Sequence, residues 1–549
     1  MSRVRRVADF WASLLPRRTD YAGLRRSWRT DLFAGVTVGI VALPLALGFG
    51  ISSGVGAEAG LITAIVAGVI AAVLGGSNVQ VSGPTGAMVV VLAPIVASQG
   101  VGAVAAVTLL AGVIIVAAAL LRLGRAVSFI PWPVIEGFTL GIAVIIFLQQ
   151  VPALTHPGSA GSSHTNVVIA AVTSVVDARP DYLGWSLAVV AVVAACMVVL
   201  RRLHRAIPGS LVAVVVATLL TVLAPTGLTT IGALPSALAA PALPVIDVQS
   251  LSTLMPAALA VAALAAIESL LSARVAASMA ATGPYDPDRE LLGQGLASIG
   301  ASLFGGMPAT GAIARTAVNV RAGARTRVSA AFHAVVLLLI VLLFAVPVSY
   351  IPLAALSGVL MVTAVQMVNR RVAGSILRST PGDAIAFVVT AVVTVSVDLI
   401  VAVVIGVLVA GVIAVRNVSR AVGVHHEVLP GAEELGDERI ALIAIDGPLI
   451  FASADRVLDE VLSTSRVSVV ILRLSRIDLV DATGAHVLEE LVQRLEQRGI
   501  TVIIKGVREQ HRRLFARIGV VGALRHENHL YADLEPAVEH ARSHVRRER

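Results

Sequence analysis

The chain has 549 residues, of which 57% are hydrophobic, 14% charged and 4% aromatic, with a mean hydropathy of +0.88. A soluble domain carries roughly 25% charged residues, so ordinary soluble, disordered and collagen-like chains are excluded. The formal charge is +8, and the only lysine, Lys505, precedes Gly506, so the chain lacks the G-x-x-x-x-G-K-[ST] phosphate loop of an ATP-driven motor. The apolar residues lie in long runs of Ala, Val, Leu, Ile and Gly, without the period-two alternation of an outer-membrane barrel, which points to a helical membrane protein. The single cysteine, Cys196, sits inside one such run and excludes an intramolecular disulfide framework.

Residues 1–30 form a polar segment rich in arginine (Arg3, Arg5, Arg6, Arg17, Arg18, Arg25, Arg26, Arg29), expected in the cytoplasm. Residues 32–54 read as a retained first span rather than a cleaved signal peptide. Further apolar runs follow at 60–74, 104–121, 134–151, 186–200, 211–223, 254–279, 328–346 and 353–368. The run 384–415 is too long for one span of about 20 residues; Asp398 interrupts it, so it reads as two spans with a turn. Basic clusters at Arg122/Arg125, Arg201/Arg202/Arg205, Arg370/Arg371/Arg378 and Arg416/Arg420 alternate with loops nearly free of basic residues. By the positive-inside rule this fits an even number of spans and both termini inside.

Two apolar segments are too short and too rich in Gly and Pro for ordinary spans: 75–96, with Val81-Ser82-Gly83-Pro84-Thr85-Gly86-Ala87-Met88, and 305–320, with Met307-Pro308-Ala309-Thr310-Gly311-Ala312-Ile313-Ala314-Arg315. Each holds Thr-Gly-Ala after a proline, and Thr85 and Thr310 are 225 residues apart, a weak internal repeat. Paired broken segments at matching positions are a pointer to a transporter's binding site. A half-helix leaves backbone N–H groups unpaired at its start and carries about half a positive charge there, so two facing starts make an anion site.

Arg315, one turn into the second half-helix, can add positive potential to that site, and Asn319 lies one turn further on the same face. Glu268, in the middle of the 254–279 run, can carry a proton with the substrate or help hold a cation, and Ser272 one turn on can share its site. Glu136, His333 and Arg274 read as structural, and Glu58 as facing water in an external loop. From about residue 440 the pattern changes to strands at 440–445, 467–472 and 501–504, with helices at 454–462, 484–497, 510–518 and 534–541. This is a soluble α/β domain of about 100 residues, joined through a polar linker at 421–439. Asp481 or Thr483 can cap the helix that follows. His526 and His529 form only a loose pair with no further ligand at metal-binding spacing, so no metal is assigned.

These residues together resemble the sulfate permease (SulP) family of anion transporters over nearly the whole chain. The marks are Asp31-Leu32-Phe33-Ala34-Gly35, Ala42-Leu43-Pro44, Gly83-Pro84-Thr85-Gly86, Glu136-Gly137-Phe138, Glu290-Leu291, Gly293-Gln294-Gly295, and Phe304 through Arg315-Thr316 to Asn319-Val320-Arg321-Ala322-Gly323. The Asp-x-Thr-Gly stretch at Asp481 resembles a STAS domain, expected over 440–545. The resemblance implies an α-helical polytopic membrane protein, with a transport domain over 31–420 of fourteen segments in two inverted repeats of seven. It also implies a core domain moving against a gate domain, a cytoplasmic STAS domain, and a homodimer in the inner membrane.

It further implies that the anion sits near Pro84, Thr85, Gly86, Ala87, Thr310, Gly311, Ala312, Ala314 and Arg315, with Leu45 and Phe49 contributing from the first span. Leu45 stands where many relatives have Gln. Glu268 falls at the coupling position, where Glu suggests protons and Asp would have favoured sodium more. The expected function is therefore secondary active transport of a small anion (bicarbonate, sulfate or a C4-dicarboxylate), by proton symport and alternating access. The chain is expected to be no enzyme, to need no cofactor beyond a coupling proton or sodium ion, and to bind no nucleic acid. A STAS-binding protein is a candidate partner. An uncoupled channel or exchanger on the same fold, and a membrane-tethered regulator acting through the STAS domain, are the alternatives.

Overall fold

The computed structural model describes residues 14–21, 23–125, 130–156, 166–203, 208–224, 226–233, 240–244, 251–280, 283–397, 399–420, 422–451, 454–462 and 467–547. Asp398 and the arginines Arg3, Arg5, Arg6 and Arg205 lie outside them. The chain divides into two compact units, Met1–Val407 and Leu408–Arg549.

Nine helices among the described residues are long and apolar enough to cross a membrane. The helical segments of the first half are α1 (Leu24–Ser52), α2 (Ala57–Leu74), α3 (Gly86–Gln99), α4 (Gly102–Leu120), α5 (Trp132–Gln149), α6 (Val167–Val176), α7 (Pro180–Leu203) and α8 (Gly209–Leu223). Those of the second are α9 (Leu251–Met279), α10 (Pro287–Leu303), α11 (Ile313–Arg321), α12 (Arg327–Ser349), α13 (Leu353–Met367), α14 (Arg370–Leu377), α15 (Pro381–Ser396) and α16 (Leu399–Arg420). Leaving out the short α6 and α14 and the five-residue helix Val151–Thr155, each half holds seven segments among the described residues. The repeat is metric: α1 ends at 52 and α9 at 279, an offset of 227. Two-residue strands precede the half-helices, β1 (Ser82–Gly83) before α3 and β2 (Thr310–Gly311) before α11, and they pair antiparallel.

The long apolar run splits into α15 and α16 as expected. The sequence pattern misses α10, because its buried face carries Asp288, Arg289, Glu290, Gln294, Ser298 and Ser302 in place of an apolar stripe. It also misses the short α6. Glu58 lies exposed in the first turn of α2 rather than in a loop.

In the membrane unit, α10 packs on α4 and α12 on α1, while α15 packs on α5 and α7 on both α8 and α13. Small residues set these crossings, as expected where lipid supplies no hydrophobic drive between helices. A Cβ on Gly112 of α4 would lie 2.8 Å from the Gly295 carbonyl of α10, and one on Gly295 would lie 2.8 Å from the Gly112 carbonyl. Asp31 of α1, fully buried, accepts hydrogen bonds from the Arg325 amide (2.7 Å) and from the Thr326 amide (3.1 Å) and hydroxyl (2.8 Å). It thereby ties the first span to the start of α12.

The second unit contains a five-stranded sheet of β3 (Gly423–Glu427), β4 (Ile440–Asp446), β5 (Val469–Arg473), β6 (Thr501–Lys505) and β7 (Leu530–Tyr531), in that order. The β3–β4 pair is antiparallel and the others parallel. The polar stretch expected as a linker therefore includes an edge strand, whose His-rich sequence lacks an apolar alternation. Helices α17 (Ala454–Leu462), α18 (Ala482–Gln497) and α19 (Glu509–Ile518) cover one face, over Ile443, Ile445, Val470, Leu472, Val502 and Ile504. Helix α20 (Leu534–Arg547) covers the other, laying Ala537, Val538, Ala541 and Val545 on Leu442, Val469, Ile471 and Ile503. With both faces covered, the parallel strands can be nearly all apolar. Asp481 is the N-cap of α18, accepting from the Gly484 amide at 2.7 Å, whereas Thr483 is exposed.

The reciprocal contact of Gly112 and Gly295 predicts that Gly112→Val and Gly295→Val each destabilise the fold by about 1–3 kcal/mol through overpacking. A Cβ on Gly102, at the start of α4, meets nothing within 4 Å, so Gly102→Val serves as the control. Heating detergent-solubilised protein and following the surviving monodisperse fraction should show a lower midpoint for the first two variants only.

Candidate functional site: two half-helices on one carboxylate

The two broken segments meet. β1 and β2 pair Ser82 with Gly311 and Gly83 with Thr310, and the Ala312 amide donates to the Val81 carbonyl at 2.9 Å. Beyond the strands the chain turns into α3 and α11, whose N-caps are Thr85 and Ala312. Neither cap residue's side chain caps its helix. The first-turn amides of both half-helices are therefore not capped by their N-cap side chains, and uncapped amides at helix starts can bind anions. The N-caps are 227 residues apart, matching the α1–α9 offset, whereas the Thr-Gly-Ala motif gave 225. Thr310 thus lies in β2, two residues ahead of the structural counterpart of Thr85.

Helix α9 runs past both segments. Glu268 Oε2 accepts a hydrogen bond from Thr85 Oγ1 at 2.8 Å and another from Thr310 Oγ1 at 2.8 Å, and the two hydroxyls are 3.4 Å apart. Ser269, the next residue, fixes the backbone around them. Its hydroxyl accepts from the Gly311 amide at 3.0 Å, and its carbonyl accepts from Gln80 Nε2 at 3.3 Å. Ser272 faces Thr316 (3.3 Å between hydroxyls) rather than Glu268, and the Thr316 hydroxyl also accepts from the Val81 amide at 3.0 Å. Of the two expected coupling residues, Glu268 joins the half-helices directly and Ser272 braces the second one.

Arg315 is almost completely buried. Its Nη2 donates to the Pro84 carbonyl, so the guanidinium of the second segment holds the turn of the first. Its Nη1 has no hydrogen-bond partner among the described residues. A Cβ at position 83 would lie 2.6 Å from that Nη1, so only glycine leaves room for the arginine. A buried, unpartnered guanidinium N–H costs about 1–3 kcal/mol or more, which an anion in the site would offset. Asn319 donates to the Val79 carbonyl at 2.8 Å and to Ser329 Oγ at 3.0 Å, bracing α11 against α12.

Of the other expected residues, Leu45, Phe49, Pro84, Gly86, Ala87, Gly311 and Ala312 are all buried. Gly86 lies against Ile146 of α5 and near Phe49, whose Cε1 would be 3.3 Å from a Cβ there. These side chains give the region an apolar wall. Ala314 is exposed and is not drawn into this cluster. His333 is buried with Nδ1 on the Ala330 carbonyl, and Glu136 accepts from its own helix through Trp132 Nε1 at 3.2 Å. Arg274 is exposed.

Sequence reasoning missed two supports. A π-type turn in α2 at Thr63–Ala67 lets Thr63 Oγ1 accept from the Met307 amide at 2.8 Å, bracing the second broken segment. From α10, Gln294 Nε2 donates to Ser82 Oγ and, at 2.9 Å, to Glu290, whose other oxygen accepts from the Gly76 amide at 2.8 Å. The Glu290–Gln294 spacing of one helical turn is the only local signal for it.

Residues 28–390 match the sulfate permease family and residues 433–537 the STAS domain. The chain is 35% identical over 506 residues to the putative sulfate transporter YvdB of Bacillus subtilis, covering 90% of this chain and 94% of that protein. It is 31% identical over 538 residues to the bicarbonate transporter BicA of Synechocystis sp., covering 94% of each. The transmembrane domain of a cyanobacterium BicA superposes with a TM-score of 0.59 at 31% identity, covering 70% of this chain and 97% of that one. The structure of SLC26A9 superposes with a TM-score of 0.82 at 16% identity, covering 100% and 96%, a likeness of fold alone.

The unpartnered Nη1 leads to a test by substitution. Arg315→Lys keeps the charge but loses the planar fork. A hydrogen bond to a charged group contributes about 1.5–3 kcal/mol, so the variant should weaken anion binding by at least about tenfold. Titrating sulfate, bicarbonate and fumarate against thermal unfolding of wild type and variant measures the difference; equal stabilisation of both would remove Arg315 from the site.

Proposed function

The chain belongs to the sulfate permease family, and on that footing we propose that it is a secondary active transporter of a small anion, driven by protons through Glu268. The observation that carries this reading is the Glu268 carboxylate, which accepts hydroxyls from both half-helices beside Arg315. Two helix starts and Arg315 place roughly two positive charges around the anion position. An ionised Glu268 cancels about one of them and a protonated one cancels none. Anion and proton therefore favour each other's binding, and by linkage the effect is reciprocal. That mutual preference is the thermodynamic requirement of a symporter. Because Thr85 is both a donor to Glu268 and the N-cap of α3, a change in Glu268 protonation acts on the residue at which one half of the anion site begins.

The substrate class is sulfate, bicarbonate or a C4-dicarboxylate, each of which suits a site of that charge. The names of the relatives, a putative sulfate transporter and a bicarbonate transporter, support the first two. Leu45 and Phe49 offer no polar group to the anion, so its recognition falls to backbone amides, hydroxyls and Arg315. We place the protein in the inner membrane with both termini cytoplasmic, as a homodimer whose transport path lies within each membrane unit.

Uptake into proteoliposomes of labelled sulfate, bicarbonate and fumarate, with and without an acid-outside pH gradient, tests the proposal. One anion should accumulate above equilibrium only with the gradient. Glu268→Gln keeps a carbonyl acceptor for Thr85 and Thr310 but cannot titrate, so gradient-driven accumulation should vanish. Gradient-independent equilibration by the wild type would instead identify a channel or exchanger, and unchanged coupling in Glu268→Gln would remove its proton role. Absence of flux with every anion would favour a regulatory protein acting through the STAS domain.

A further inference from the structure

The second unit gathers four histidines that no step of anion transport uses. His529 ends a 3-10 turn, Glu527–His529, that leads into β7. His540 and His544 lie one turn apart on α20, beside the stripe that seats this helix on the sheet. Because α20 is fixed by Ala537, Val538, Ala541 and Val545, its neighbouring face is held against the turn. The ring centroids of His529 are 5.3 Å from those of both His540 and His544, and the latter two are 4.8 Å apart. His526, exposed at the other side of the turn, stands 5.5 Å from His529.

Two observations distinguish this cluster from stacked surface histidines. First, one ring nitrogen from each of His529, His540 and His544 can be chosen so that all three lie within 4.8 Å of one another. The Nε2 atoms of His540 and His544 are already 3.2 Å apart, close to the edge of about 3.3 Å of a tetrahedron with metal–nitrogen bonds of about 2.05 Å. Second, His529 is 1% exposed and its Nδ1 has no hydrogen-bond partner among the described residues.

We propose that His529, His540 and His544 form a zinc-binding site, with His526 or a water as the fourth ligand. An all-nitrogen donor set suits zinc and its neighbours in the transition series and disfavours magnesium and calcium, which take oxygen ligands. On binding, the hydrogen shared between the two Nε2 atoms moves to Nδ1 of its own ring, and both rings coordinate as neutral ligands. The ion clips the C-terminal helix to the turn before β7. The two α20 ligands have the i, i+4 spacing that places two histidines on one helix face.

The test uses full-length protein without an oligohistidine tag, purified in detergent, stripped with EDTA and equilibrated with buffered zinc. One zinc per chain is expected by elemental analysis, and substituted cobalt should give the intense visible absorption of a tetrahedral site. His540→Gln and His544→Gln, at half-buried positions on α20, should each weaken zinc binding by at least about tenfold, the lower bound set by the loss of outer-shell partners alone. His529→Gln should do the same if it folds; if it does not, the two α20 variants decide. Substoichiometric zinc, or stoichiometric zinc that both α20 variants retain, would overturn the proposal and in the second case point to His425 or His426.

Discussion

One carboxylate oxygen accepts two threonine hydroxyls from segments 225 residues apart, and the centre of the membrane unit is organised around that convergence. Broken helices in a membrane are tolerated only where their freed backbone groups find partners inside the protein or line a cavity. Here α9 supplies the partners on one side, through Glu268, Ser269 and Ser272, and the short β1–β2 pair satisfies backbone groups between the segments. Neither half-helix start is capped by its N-cap side chain, so the polar side chains around them brace the turns rather than close the helix ends.

The cost of that arrangement is met by close packing around it. Gly83 leaves room for the Arg315 guanidinium, and Gly112 and Gly295 let α4 and α10 approach to backbone contact. Helix α10 then presents Gln294 and Glu290 to the broken segments without exposing them to lipid. Small residues here are a condition for burying polar ones, because only closely approaching helices exclude both lipid and water from those groups.

Much of this was legible before the structure. The long apolar runs mark their spans because membrane insertion demands them, and Gly-Pro breaks within apolar sequence mark the half-helices. Glu268 and Arg315 stand out because a charge in such a run is rare. What escaped has a physical reason in each case. Helix α10 buries polar side chains against protein, so it lacks the apolar signature of a span. Strand β3 is a sheet edge, so its histidines are not forced into alternation. The Thr-Gly-Ala motif misplaced the repeat by two residues because its two threonines meet at Glu268 from non-equivalent backbone positions. His526 and His529 gained their neighbours only through the docking of α20, a tertiary event that local spacing does not encode.

The repeat itself shows how function was laid onto symmetry. At the 227-residue offset, Glu268, Ser269, Ser272, Arg315, Thr316 and Asn319 correspond to Val41, Ala42, Leu45, Met88, Val89 and Leu92. The last five of these are buried apolar residues that pack together in the main hydrophobic cluster. The scaffold is therefore two-fold while its chemistry is not: the second half supplies the polar side chains, and these hydrogen-bond to both broken segments. Hydrogen-bonded contacts depend on direction and protonation, whereas apolar contacts are non-directional. An alteration at Glu268 must then reach both segments at once, through Thr85 at the start of one half-helix and Thr310 just ahead of the other. A pair of helix starts alone would only hold an anion; in the mechanism proposed above, one carboxylate bonded to both segments is what lets a proton change how it is held.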